Sequence, residues 1–165
     1  MLFRSASAKW DSLTVEEQKQ LLNYEYGYTA VALGGEKAHA KSVLQRYEQH
    51  LEALKKEITE AKYYSYLASV YTYKMALEKG RLISHAKNLF ACVKRLRELE
   101  TMDALALSML GNVEFYAPTG NKQKALRYFL QADSVYSISA KEYELWNHHS
   151  VKRNIEMCEE KLKNK

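Results

Sequence analysis

The stretch Leu107-Ser-Met-Leu110-Gly111-Asn-Val-Glu-Phe115-Tyr116-Ala-Pro118-Thr-Gly120-Asn121-Lys-Gln-Lys-Ala125-Leu-Arg-Tyr-Phe129-Leu-Gln-Ala132 decides the fold. Two segments with apolar residues at helical spacing flank a turn that carries the chain's one proline. Gly111 and Ala125 are small, so two antiparallel helices can approach closely there. Phe129 is suited to fill the space between them, and Ala132 lets a following helix pack alongside. Asn121 is placed to cap the second helix, its side chain accepting from a free backbone N–H of the first turn.

The pattern recurs. The small residue of the first helix is Gly27, then Ala68, then Gly111, which are 41 and 43 residues apart. The second-helix triples are Ala40-Leu44-Tyr47, Ala86-Phe90-Val93 and Ala125-Phe129-Ala132, all with the same internal spacing. This predicts three helix hairpins, over about residues 14–56, 60–100 and 101–136. A capping helix over about 139–163 completes one domain spanning 1–165. Stacked hairpins need a last element that hides the final apolar face.

The local signals give seven helices. Thr14 and Glu17 form a capping box, and Gly34-Gly35 ends the helix that begins there. The second helix carries Ala40, Val43, Leu44, Tyr47, Leu51 and Leu54 on one face. The third runs from Tyr63 to about Glu78, and Ser84 is read as the cap of a fourth with the stripe Ala86, Leu89, Phe90, Val93 and Leu96. Thr101 is read as the cap of the fifth. Ser139 and Glu142 are read as a capping box for the seventh, whose stripe is Leu145, His148, Val151, Ile155, Cys158 and Leu162.

Six glycines in 165 residues leave few breakers for a many-stranded sheet, in agreement with long helices. No run reaches the roughly 18 apolar residues of a membrane span. Met1 to Trp10 lacks the apolar core of an export signal. The expectation is a soluble protein, cytoplasmic as the sequence stands, or of the periplasm or cell envelope if an export signal preceded it. Cys92 and Cys158 lack metal-type spacing and read as small buried apolar residues.

Taken together, Leu107-x-x-Leu110-Gly111 and Ala125-x-x-x-Phe129-x-x-Ala132 resemble the tetratricopeptide helix-turn-helix. The Tyr-rich helix at Tyr63-Tyr64-x-Tyr66-Leu67-Ala68 and the turn from Gly111 to Pro118 and Gly120 are similar to a bacterial cell-envelope branch of that superfamily. The family's Trp position holds Asn23, Tyr64 and Leu107, and the closing Pro is missing from every unit. The resemblance implies an all-α, right-handed superhelix of three hairpins plus a cap. It also implies a non-catalytic protein- or peptide-binding scaffold that uses its concave face.

In that family the first helix of each hairpin lines the concave side. By position this implies partner contacts from Tyr24 and Tyr28, from Lys62, Ser65, Ser69 and Tyr73, and from Ser108, Asn112 and Tyr116. The set is rich in Tyr and small hydroxyls, which suit peptide recognition. The implied partner is a protein or peptide, or a second copy of the chain. A second expectation rests on charge. Between Lys74 and Glu98 seven Lys or Arg stand against Glu78 and Glu98, an excess equal to the whole net charge of +5. Such a segment attracts nucleic acid or an acidic partner.

Catalytic and metal sites find little support. His148-His149 are adjacent, so on a helix they point about 100° apart and cannot readily share one ion. Glu36-x-x-His39 has no second copy of the kind a di-iron bundle needs. Gly34-Gly35 lacks the strand and Lys of a phosphate loop. No cofactor is expected.

Overall fold

The computed structural model describes residues 9–164, and among these every regular element is helical. A short 3₁₀ turn at Trp10–Ser12 precedes α1 (Val15–Ala32). Then come α2 (Lys37–Ala53), α3 (Glu60–Leu77), α4 (Leu82–Glu98), α5 (Ala104–Tyr116), α6 (Lys122–Ser139) and α7 (Leu145–Lys163). Two further 3₁₀ turns, Lys79–Arg81 and Glu142–Glu144, lead into α4 and α7.

Several caps are those the sequence specifies. Thr14 Oγ1 accepts from Glu17 N at 3.2 Å, and Glu17 Oε2 accepts from Thr14 N at 2.9 Å. Asn121 Oδ1 accepts from Lys124 N at 3.0 Å and starts α6. In the turn before it, a side chain on Gly120 would run into the carbonyl of Glu114, so only glycine fits. Glu114 fastens the same turn by accepting from Asn121 N at 2.9 Å.

Consecutive helices pack as antiparallel neighbours: α1 on α2, α3 on α4, α5 on α6. These pairs are joined by α2 on α3, α3 on α5, and α6 on α7. The core follows this order as three clusters. Leu22, Tyr47, Leu51, Tyr66 and Val70 tie α1, α2 and α3. Ala68, Cys92, Leu96, Ala106 and Leu110 tie α3, α4 and α5. Leu107, Phe129, Ala132, Val151 and Cys158 tie α5, α6 and α7.

The small-residue rule holds at two of its three places. Ala68 is fully buried between α3 and α4. A methyl on Gly111 would stand 2.6 Å from the Phe129 ring, so that glycine sets the α5–α6 distance. Gly27 serves a different neighbour: a methyl there would stand 2.9 Å from the Trp146 ring of α7. In the first hairpin the α1–α2 contact is instead made by Leu22, Glu25 and Thr29, all buried.

Other expectations are corrected. Phe90 is exposed, because α4 buries His85, Cys92, Val93 and Leu96, a stripe rotated from the one that includes Phe90. Helix α4 starts at Leu82 without a side-chain cap, so Ser84 lies inside it. Asp103 caps α5 by accepting from Ala106 N, while Thr101 accepts from Asp103 N just before it. Ser139 closes α6, its hydroxyl bonded to the Val135 carbonyl, and a 3₁₀ turn intervenes before α7. Leu145 is accordingly exposed, and α7 buries Asn147, Val151 and Cys158.

Candidate functional site

Helix α3 packs on both α1 and α5, and the turn that leads into α7 lies against α1. The contact is made by side chains 120 or more residues apart. Asn23 Nδ2 donates to the Tyr143 carbonyl at 3.1 Å and to Asn147 Oδ1 at 2.9 Å, while Asn23 Oδ1 accepts from the Tyr66 hydroxyl at 3.2 Å. Asn23 and Asn147 are both buried, so each bond replaces one with water that the fold has removed. Trp146 lies over Gly27 and packs on Tyr26, ring centroids 5.5 Å apart. Lys141 Nζ meets Glu16 Oε1 at 2.9 Å, and Lys62 Nζ meets Asp103 Oδ2 at 2.9 Å.

Much of the face on which partner contacts are expected is closed by the packing of the helices themselves. Ser65, Ser69, Tyr73 and Ser108 are buried. The hydroxyls of Ser65 and Ser108 turn back to the carbonyls of Ala61 and Ala104. Ser69 Oγ donates to the Tyr66 carbonyl and pairs with the Tyr47 hydroxyl at 2.8 Å. Tyr73 donates to the Tyr26 carbonyl at 2.8 Å. Burial drives the phenols of Tyr47, Tyr66 and Tyr73 well above their ordinary range. Ser65, Ser69, Tyr73 and Ser108 thus pack helices together and offer a partner nothing in this arrangement. Lys62 is half-buried in its ion pair, and Asn112 accepts from Asn154 Nδ2 at 3.3 Å.

Tyr24 and Tyr116 remain exposed, and Tyr28 is half-buried. Tyr24 is 50% exposed and stacks on Tyr28, centroids 5.8 Å apart. The Tyr28 hydroxyl meets His39 Nε2 at 3.1 Å. Val31, one turn beyond Gly27 and on the same side of α1, is 74% exposed, and Trp146 is 36% exposed. Tyr24, Gly27, Tyr28 and Val31 share one helical stripe at spacings of three and four. With Trp146 laid over Gly27, they form an aromatic ledge along the outer edge of the stack. Tyr116 is 66% exposed at the far end of α5, edge-on to Phe115.

No family model, no curated protein and no solved structure matches this chain. The site therefore has to be judged on its own geometry.

The basic segment is less positive than its sequence suggests. Lys74 pairs with Glu48 at 2.8 Å, Arg95 with Glu60 at 2.6 Å, and Arg97 with Glu114 at 3.0 Å. Neighbouring helices thus supply acids that a count along one segment does not see. Among the described residues no group of three or more His, Cys, Asp or Glu could hold a metal ion, and no helix is long and apolar enough to cross a membrane.

Two features escaped the sequence reading. Trp146 enters the site because α7 begins beyond a 3₁₀ turn, which a capping-box reading of Ser139 obscures. Asn23 stands where the tetratricopeptide pattern, which the sequence resembles, has Trp, and a polar residue there was the one available signal that this place differs.

Proposed function

We propose that the chain is a non-catalytic scaffold of stacked tetratricopeptide-like hairpins that binds a protein or peptide partner. The observation that supports this most is the ledge of exposed Tyr24, Val31 and Trp146 with half-buried Tyr28, an aromatic and aliphatic strip drawn from both ends of the chain. Tyrosine and tryptophan supply large contact area with few rotors to immobilise, and their polar tips tolerate water before binding. The arrangement also places the contact on two rigid helices, so little order must be gained on association. A right-handed superhelical curvature of the three hairpins belongs to the same proposal.

The test starts with capture of partners on the full chain from its native organism, followed by variants. Tyr24→Ala with Val31→Ser should weaken a captured interaction at least about tenfold, the loss of one or two central anchors. Tyr116→Ala, at the far end, should leave it within about twofold. Equal binding by the ledge variant, with helical content intact, would remove the ledge as the contact surface.

A further inference from the structure

Helix α1 carries a carboxylate where none is expected. Glu25 is fully buried, and its Oε1 lies 2.6 Å from His50 Nδ1 on the last turn of α2. Its Oε2 has no hydrogen-bond partner among the described residues. The His50 ring is in turn covered by Trp10, with centroids 3.8 Å apart and planes 5° from parallel. Trp10 belongs to the 3₁₀ turn before α1. Its carbonyl accepts from Gln18 Nε2 at 3.0 Å and from the Leu13 amide at 3.1 Å. Among the described residues, the turn that precedes α1 is docked through the Trp10 indole on the His50 imidazole and the core beside it, and through Gln18.

We propose that Trp10, His50 and Glu25 form a proton-controlled latch, which holds the N-terminal turn on the α1–α2 hairpin while the couple keeps its shared proton and releases it when that proton is lost. A 2.6 Å separation is the length of a charge-assisted hydrogen bond, the kind formed when the two groups share a proton. Loss of that proton from the couple leaves a net negative charge in buried surroundings, with Glu25 Oε2 lacking a donor among the described residues. Admitting water relieves that state, and Trp10, stacked on the His50 ring, is the group whose displacement opens the way.

Among the described residues, the charged groups of α2 that act on Glu25 are His50 and Arg46. From the N-terminal turn comes the neutral indole of Trp10. Helix α3 presents Tyr66 and Tyr73 to α1, both phenols kept protonated by burial, and α7 presents the neutral Asn147 and Trp146. The direction follows from linkage. Burial holds the Glu25 carboxyl above its ordinary range, opposed in part by the His50 hydrogen bond. A group whose folded value is raised contributes stability at low pH that is lost as pH rises through the folded value. The latch is therefore closed at lower pH and loosens as pH rises through the raised Glu25 value.

In a Trp146→Phe background Trp10 is the sole indole, since the chain has two tryptophans. Lifetime-corrected acrylamide quenching of Trp10 is measured from about pH 4.5 to about pH 8.5, upward from the ordinary carboxyl value, with helical circular dichroism followed in parallel. The quenching constant should rise at least about threefold across that range without loss of helix. Glu25→Gln, which has no charge to strand, should abolish the rise. A flat constant in the Trp146→Phe background overturns the latch, and so does an equal rise in the Glu25→Gln variant. Should Glu25→Gln lose helix, His50→Gln is read in its place: loss of the rise supports the latch, and persistence of the rise overturns it.

Discussion

Substituting Gly111 by alanine tests how the hairpins are spaced, because two opposing effects can be separated there. Gly111 lies inside α5, where replacing glycine by alanine gains about 0.5–1 kcal/mol from reduced backbone freedom in the unfolded chain. The new methyl, however, would stand 2.6, 2.8 and 2.9 Å from three atoms of the Phe129 ring. Phe129 is itself almost fully buried, so it has no open space to turn into. Overpacking of this kind costs about 1–3 kcal/mol. The net expectation is a loss of up to about 2.5 kcal/mol in urea unfolding, with the slope unchanged. Phe129→Leu alone destabilises as well, since it empties part of the same space. In the Phe129→Leu background the clash is gone, so Gly111→Ala should there stabilise by about 0.5–1 kcal/mol. The double-mutant cycle thus predicts a coupling of about 1–3 kcal/mol and a change of sign. Stabilisation by Gly111→Ala in the native background, equal to that in the Phe129→Leu background, would show that glycine is not there to admit the ring.

Two further outcomes are expected. Asn23→Ala removes a donor to Tyr143 and Asn147 and an acceptor from Tyr66, all in buried surroundings, and should cost about 2–4 kcal/mol in urea unfolding. Emission from Trp146 should shift to the red as its seat on Gly27 loosens, and an unchanged spectrum would argue against the seat. Cys92 and Cys158 are both buried, and burial raises both thiols, Cys92 to about 11. A thiol reagent should therefore leave the folded chain unmodified and label both residues after unfolding, whereas prompt labelling of Cys92 would contradict its place in the core between α3, α4 and α5.

The helices were legible because their signals are local: apolar period, the Thr14 box, the Asn121 cap and the Gly34-Gly35 and Gly120 breaks all act within one or two turns. The pairing of α5 with α6 was legible for the same reason, as Gly111 and Phe129 belong to one hairpin. The surface was not. Ser69, Tyr73 and Ser108 have the composition of a wet binding face, but a hydroxyl bonded to a carbonyl of a packed helix is as satisfied as one in water, and composition does not separate the two cases. Phe90 misled in the opposite direction. Its triple matched in spacing, yet a small rotation of α4 puts the ring outside and His85 inside. Gly27 matched the small-residue pattern for a reason belonging to a distant helix, and no local pattern along the chain contains Trp146. The basic segment was misjudged likewise, since Glu48, Glu60 and Glu114 reach its cations from other helices.

The place of the ledge has a thermodynamic consequence. Tyr24, Tyr28 and Val31 belong to α1, but Trp146 belongs to the first turn of the last helix and is held by contacts to Gly27, Tyr26 and the neighbouring Asn147–Asn23 pair. A partner that touches both sides binds only molecules in which the start of α7 is seated. Its binding then draws the seated form forward by RT ln(1 + [L]/Kd), about 2.7 kcal/mol at a hundredfold excess over Kd. Loosening the seat, by contrast, lowers apparent affinity by the fraction of chains left seated, with no ledge residue altered. Asn23, which touches no ledge partner itself, would on this argument influence binding through Trp146 alone. Its effect should then vanish against a ligand confined to Tyr24 and Val31. That separates a residue that positions the surface from one that forms it.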